Sequence, residues 1–102
     1  MDASDFGRFS DPVLLILACL AGGEKHGYAM MEDIEGTSGV HLGPGTLYGA
    51  LARLEQVGFI ESLPADDRRR PYRLTVQGTA FLRQYLKSLE RFVTLSLKRL
   101  EA

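Results

Sequence analysis

The sequence contains one cysteine and no tryptophan. Because a single thiol has no partner within the chain, an intramolecular disulfide is excluded and a reducing, cytoplasmic compartment is favoured. The cysteine, Cys19, lies in the apolar run VLLILACLA. Free cysteines in such surroundings usually behave as small core residues. We therefore predict a buried, unreactive thiol.

Long apolar stretches are absent as well. The most apolar run, residues 13–21, is about nine residues long, whereas a helix that crosses a bilayer needs ~20. It follows Asp2, Asp5 and Asp11, although a secretory signal carries positive charge before its apolar stretch. The sequence therefore predicts neither a membrane-spanning segment nor a targeting segment.

Side chains suited to catalysis or metal binding are sparse. Neither His26 nor His41 has Cys, Asp or Glu at metal-ligand spacing on the same predicted element. Ser62 and Ser88 have no neighbouring base, and residues 43–45, Gly-Pro-Gly, lack the lysine of a phosphate-binding loop. We predict no metal, no cofactor and no catalytic residue, and hence a protein that is not an enzyme.

The formal net charge of −1 conceals an asymmetry along the chain. Residues 1–67 hold three Lys and Arg against eleven Asp and Glu, a balance of −8. Residues 68–99 hold nine Lys and Arg against Glu90, a balance of +8. This distribution favours a polyanionic partner or a self-complementary assembly, although a basic run is more often a solvated face.

Capping signals and hydrophobic periodicity predict three short helices. The first covers residues 12–21, because Asp11 suits an N-cap and Pro12 the first helical position. It is apolar on nearly every side, which indicates that a second chain covers part of it. The second helix covers residues 26–35 and the third residues 43–57. The third spaces apolar residues along one face and small or polar ones along the other: Leu47, Leu51 and Leu54 against Thr46, Gly49, Arg53 and Gln56.

A hairpin follows the third helix. The first strand is predicted at Phe59, Ile60 and Leu63, and the returning strand, by strict alternation, at Tyr72, Leu74 and Val76. Residues 64–71 form a polar tip that carries three consecutive arginines.

A long helix is predicted from residue 77 to about residue 100, with Thr75 as its cap. At ~1.5 Å per residue it reaches about 36 Å, more than this small domain needs for its own core. Its apolar residues follow alternating three- and four-residue steps and are widened by aromatics: Leu82, Leu86, Leu89, Val93, Leu97 and Leu100, with Phe81, Tyr85 and Phe92. Such a helix is marginal alone, so we predict a homodimer through these residues, with Leu14 and Leu17 of the first helix as further contacts.

The predicted fold class is therefore mainly α with a small β-hairpin. Three helices followed by a two-stranded wing form a winged helix-turn-helix, in which residues 43–57 occupy the recognition position. We predict a DNA-binding domain at residues 1–76 and a C-terminal dimerisation helix at residues 77–102.

Three segments resemble the PadR family of bacterial transcriptional regulators, in its short form with one C-terminal helix. They read LLILACLAGGEKHGYAMMEDIE, PGTLYGALARLEQVGFIES and RRRPYRLTVQG, and the similarity covers about residues 12–82. The resemblance implies a dimeric repressor that binds double-stranded DNA at a pseudo-palindromic operator and is released by a small aromatic or planar effector. Some short members stack planar drugs on a tryptophan of the last helix; this chain lacks one, and Phe81, Tyr85 and Phe92 are the candidate substitutes.

The resemblance also assigns DNA contacts. Thr46 and Tyr48 fall where the family's recognition helix meets DNA, and Tyr28 falls at the start of the supporting helix. The wing contributes Arg68, Arg69 and Arg70 at its tip and Arg73 on the returning strand.

The residues themselves leave alternatives open. Tyr48 either contacts a phosphate through its hydroxyl or packs at the edge of the core. Arg53 either contacts a phosphate or is an ordinary solvated side chain. The wing arginines either meet nucleic acid or form a local ion-pair loop with Asp66 and Asp67. The chain as a whole is either a DNA-binding regulator or a winged-helix adaptor that docks proteins.

Overall fold

The computed structural model describes residues 10–102; Asp2 and Asp5 lie outside that range. It contains four helices and a three-stranded sheet within these residues. In chain order they are α1 Pro12–Ala21, β1 Lys25–His26, α2 Gly27–Ser38, α3 Pro44–Gln56, β2 Ile60–Ser62, β3 Pro71–Leu74 and α4 Val76–Glu101. No helix within residues 10–102 has the length and hydropathy required to cross a membrane.

Helix α1 is the centre of the protomer. The Asp11 side chain accepts a hydrogen bond from the Val13 amide at 3.0 Å, which caps the helix as predicted. Contacts from α2, α3, β3 and α4 of the same chain then surround α1. Its leucines are therefore core residues: Leu17 is 0% exposed and Leu14 is 8% exposed. The protomer itself covers the two positions that the sequence assigned to a partner chain, so we correct that assignment.

The sheet has one strand more than the sequence predicted. Its order is β1-β3-β2, with β3 antiparallel to both neighbours. The missed strand, β1, is two residues long and shows no alternation of its own; it is a strand because Lys25 pairs with Tyr72. The returning strand is shorter than predicted, since β3 ends at Leu74 and Val76 is already the first residue of α4.

Two hydrogen bonds and one close approach join the start of α4 to the segment between α3 and β2, and a third hydrogen bond caps α4. The Thr75 hydroxyl donates to the Gly58 carbonyl at 2.6 Å and accepts from the Gly78 amide at 3.0 Å, so one side chain caps α4 and ties it to the end of α3. The Thr75 amide donates to the Phe59 carbonyl at 3.1 Å. Gly78 is buried against that same peptide, and a Cβ there would lie 2.8 Å from the Phe59 carbonyl carbon. The junction therefore requires glycine.

Only the first part of α4 packs on its own protomer. Leu82 is buried and Tyr85 and Leu89 pack against the core, whereas the apolar side chains further along the helix are exposed. The radius of gyration is 15.3 Å, against ~13 Å for a compact domain of this length, because the second half of α4 projects from the body.

The single cysteine is buried, as the sequence predicted. Burial, a hydrogen bond with Asp33 and the charge of that carboxylate raise the pKa of the Cys19 thiol to about 12, with Lys25 acting in the opposite sense. Nucleophilic thiol chemistry requires the thiolate, which is scarce at neutral pH under these conditions. Cys19 is therefore an apolar packing residue of α1.

Candidate nucleic-acid interface

The outer face of helix α3 is exposed to solvent and carries small or polar residues. Its inner side is fixed by the buried Leu47, Ala50, Leu51 and Leu54, so the opposite side must face solvent. That side holds the predicted residues Thr46 and Arg53, both exposed, with Gly49 and Gln56 between and beyond them. An α-helix with such a face fits the width of a DNA major groove.

The wing ends in a two-residue turn. Asp66 and Arg69 exchange backbone hydrogen bonds of 2.8 and 2.9 Å, and between them Asp67 and Arg68 have φ values of 50° and 69°. This left-handed conformation is typical of tight hairpin turns; glycine, asparagine and aspartate adopt it most readily, whereas it is unfavourable for arginine. Arg68 nevertheless adopts this conformation and, as a turn residue, lies at the extremity of the wing.

A cleft of about 280 Å³ separates the wing from the start of α2. Both walls are basic or aromatic, and the cleft includes five of the predicted DNA contacts. It is lined by His26, Gly27, Tyr28, Tyr48, Arg68, Arg69, Arg70 and Tyr72. The structure therefore brings the recognition helix, the supporting helix and the wing to one site.

The cleft is strongly cationic. Within residues 10–102 no carboxylate oxygen lies within 4.0 Å of a guanidinium nitrogen of Arg68, Arg69 or Arg70, so Asp66 and Asp67 do not form ion pairs with them. This arrangement disfavours the local ion-pair loop. Three adjacent guanidinium groups repel one another unless an anion lies nearby. The first turn of α2 adds the partial positive charge of a helix N-terminus. The cleft can thus accept an anion such as a backbone phosphate.

Three residues that line this cleft were not predicted as DNA contacts from the sequence: His26, Gly27 and Tyr72. Tyr72 lies on β3 and faces the cleft, where burial and then the Glu55 carboxylate raise the pKa of its hydroxyl, opposed by Arg70. His26 caps α2, because its Nδ1 accepts a hydrogen bond from the Ala29 amide at 3.3 Å. No local sequence pattern identifies them, because they meet through the β1–β3 pairing, which places Lys25 opposite Tyr72 and His26 opposite Pro71.

Arg73 is separated from the other predicted contacts. Successive strand residues point to opposite faces of a sheet, so Tyr72 faces the cleft and Arg73 faces away from it. The Arg73 Nε donates to Glu61 Oε1 at 2.6 Å across the β2–β3 pair. Arg73 also lines a groove of about 650 Å³ between α1, β3 and α4. The structure therefore assigns Arg73 to the back of the wing.

The predicted interface residues of α4 fall into two groups. Phe81 stacks on Phe59 with ring centroids 4.6 Å apart and meets the edge of Tyr85 at 5.9 Å, so both aromatics pack within the protomer. Leu89 also packs against the core. The remaining three are uncovered: Phe92 is 67%, Val93 48% and Leu97 54% exposed.

Tyr85 also ties α4 to the start of α1. Its hydroxyl donates to Asp11 Oδ2 at 2.6 Å, and this bond is the main reason that the pKa of Tyr85 is raised. A raised tyrosine pKa means that the bond is fully present at neutral pH and is lost only in alkali, as the pH rises through that pKa.

Comparison with known proteins shows the family of this chain. The sequence model of a family described as "Transcriptional regulator PadR-like family" matches residues 16–84, which include the second part of α1, all of α2 and α3, the wing and the start of α4. The chain belongs to the PadR-like family. Its members are transcriptional regulators rather than enzymes, in agreement with the prediction from sequence. Within residues 10–102 no group of three or more His, Cys, Asp or Glu could hold a metal ion.

Solved structures of transcriptional regulators share the fold. A transcriptional regulator from Clostridium thermocellum is 30% identical with a TM-score of 0.75, over 84% of this chain and 89% of that one. A PadR family regulator from Clostridium difficile is 27% identical with a TM-score of 0.74, over 89% of this chain and 98% of that one. These matches confirm the winged-helix fold class.

A curated relative has a similar sequence in a longer chain. An uncharacterised 37.1 kDa protein in transposon TN4556 of Streptomyces fradiae is 45% identical over 84 residues, which is 82% of this chain. The match spans 24% of that relative, so the chain corresponds to about a quarter of its length.

Proposed function

We propose that the chain forms a homodimer that recognises a palindromic DNA operator and represses transcription. The observation that carries this proposal is the cleft between α2 and the wing, where three arginines without carboxylate partners lie beside the exposed face of α3. Phosphate contacts supply affinity, and contacts of a helix with base edges supply sequence choice. The wing and α3 combine both kinds of contact in each protomer.

The outer face of α3 suits the major groove. Thr46 lies in its first turn and is exposed, so its hydroxyl is available to a base edge or a phosphate. Arg53 is exposed near the other end of the helix and suits a phosphate contact. With Tyr28, Tyr48 and the wing arginines, these residues would span the groove and the backbone that flanks it.

Dimerisation is supported by the exposed apolar residues of α4. Phe92, Val93 and Leu97 lie beyond the part of the helix that packs on its own protomer. Contiguous apolar surface of this kind usually marks a contact with another chain. Two copies that pair through α4 would place their α3 helices in successive major grooves about 34 Å apart.

A dimer also provides an effector site. A small aromatic or planar molecule held between the two α4 helices would contact Phe92 and reach the packed pair Phe81 and Tyr85. It would alter the spacing of the two recognition helices. Because both half-sites must fit at once, a small change of spacing lowers the affinity for DNA.

The dimer proposal predicts that Val93→Glu combined with Leu97→Glu yields a folded monomer. Burying two glutamates at the interface should weaken self-association at least about a hundredfold, as measured by sedimentation equilibrium. The matched control is Gln84→Glu with Thr94→Glu, which adds the same charge at two exposed positions of α4. A dimer of unchanged affinity in the first variant would refute this interface.

DNA recognition is tested by selection from a random duplex library. We expect enrichment of a palindrome whose half-sites lie about ten base pairs apart, or a multiple of that, with affinity that falls steeply as salt rises. The adaptor alternative predicts no enrichment at ~0.1 M salt. That result, obtained with a folded dimer, would overturn the proposed function.

A further inference from the structure

Gly27 is the first residue of α2 and is buried beneath the ring of Tyr48. A Cβ at position 27 would lie 2.7 Å from Cζ and 3.1 Å from Cε1 of that ring, and closer still to its hydroxyl oxygen. Carbon atoms in ordinary van der Waals contact are about 3.5–4.0 Å apart. The ring therefore occupies the space that a side chain at position 27 would need.

This contact contributes little to the apolar core. Tyr48 is 49% exposed, and the atoms that approach Gly27 are at the far end of its side chain. Such atoms can move away by rotation without displacing the backbone of α3. Alanine also has a higher helix propensity than glycine. An alanine at position 27 should therefore be tolerated by the fold while it moves the Tyr48 ring.

What the contact does fix is the place of the Tyr48 hydroxyl. The ring lies against the first turn of α2 at one wall of the cleft, and the arginines of the wing form the other wall. Among residues 10–102 no group forms a hydrogen bond with this hydroxyl. It is therefore available as a donor to an anion in the cleft.

We propose that Gly27 is a positioning residue for DNA binding. By lacking a side chain, it lets Tyr48 settle on the first turn of α2, which holds the Tyr48 hydroxyl beside Arg68, Arg69 and Arg70. There the hydroxyl donates to the same backbone phosphate that the arginines attract. The inference rests on the proposed function, because it requires that DNA occupies this cleft.

The test is a double-mutant cycle on DNA affinity. The protein is titrated into a fluorescently labelled duplex of about 30 base pairs at ~50 mM salt, where nonspecific binding is measurable. Gly27→Ala is expected to weaken binding about tenfold, and Tyr48→Phe to weaken it by a similar factor, because each removes one hydrogen bond to a charged group. In a Tyr48→Ala background, Gly27→Ala should have no further effect.

Gly36→Ala is the matched control. It is the same substitution in the same helix, at a position where an added Cβ meets nothing within 4 Å. It should leave DNA affinity unchanged. Thermal unfolding of all variants separates the positioning role from a structural one, since Gly27→Ala is expected to keep the parent Tm within a few degrees.

The outcomes distinguish this inference from the function on which it rests. If the parent protein binds no duplex at low salt, the proposed function fails and the inference falls with it. If the parent binds but Gly27→Ala binds equally well, only the inference is overturned. An equal loss of affinity from Gly27→Ala with and without the Tyr48 ring would also overturn it, because the effect would not act through Tyr48.

Discussion

Gly78→Ala is expected to lower the free energy of unfolding by about 4 kcal/mol or more, enough to unfold much of a marginally stable small domain. The added Cβ would lie 2.8 Å from the Phe59 carbonyl carbon and overlap the carbonyl oxygen. Both partners are backbone, so neither can move aside by rotation. Relief requires that α4 shifts away from the wing, which would disturb the hydrogen bonds that Thr75 makes to Gly58 and Phe59.

Urea denaturation followed by circular dichroism measures this effect. Gly36→Ala serves as the control, because Gly36 lies inside α2 with open space around it, and alanine there should stabilise the protein by about 0.5–1 kcal/mol. Gly78→Ala within about 1 kcal/mol of the parent protein would contradict the close approach at the junction.

Replacing Arg68, Arg69 and Arg70 by alanine is expected to weaken DNA binding about a hundredfold near 0.1 M salt. Each lost phosphate contact removes roughly 1 kcal/mol and lowers the slope of log K against log salt by about 0.9, so the slope should fall by about 2–3. The three side chains are exposed at the wing, away from the core, and folding should be unaffected. Fluorescence anisotropy over a series of salt concentrations measures both quantities.

The matched control removes the same charge from another surface. Arg83→Ala, Lys87→Ala and Arg91→Ala together neutralise three exposed cations of α4, which lie outside the cleft. This variant should retain most of its affinity and its slope. Equal losses in the two triple variants would mean that net charge, rather than the wing, drives binding.

Arg68→Gly further separates charge from conformation. Arg68 has a φ of 69°, a conformation that glycine adopts without strain, so this variant should be as stable as the parent or slightly more stable. Its DNA affinity should still fall, because one cation of the cleft is gone. If stability and affinity both fell, the loss of affinity would instead come from a less stable wing.

Local signals explain why much of the helical framework could be predicted. Asp11 and Pro12 begin α1, and Thr75 caps α4, as the sequence indicated. Each of these features depends on residues within one helical turn, and capping and periodicity are readable at that range. The recognition helix was predicted for the same reason, since its buried leucines follow the helical repeat.

One error concerned the end of a strand, and two others arose where residues distant in sequence determine the structure. Val76 continued an alternating pattern and was placed in a strand, but the Thr75 cap starts α4 at that point. Strand β1 depends on pairing with β3, which lies more than 40 residues away, and two residues carry no pattern of their own. Leu14 and Leu17 looked available to a partner because the sequence does not show that four elements of the same chain surround α1.

The sequence by itself determined the order of the elements, the position of the recognition helix and the presence of an arginine-rich tip, because these follow from local propensity and composition. Only the tertiary structure decided which of these residues meet. It brought Tyr28, Tyr48 and the wing arginines to one cleft and placed Arg73 behind the sheet. It also showed that the Tyr48 ring occupies the space beside Gly27, and that Gly78 is required by its close approach to the Phe59 backbone. Such contacts depend on the relative placement of whole elements, which no local pattern of residues encodes.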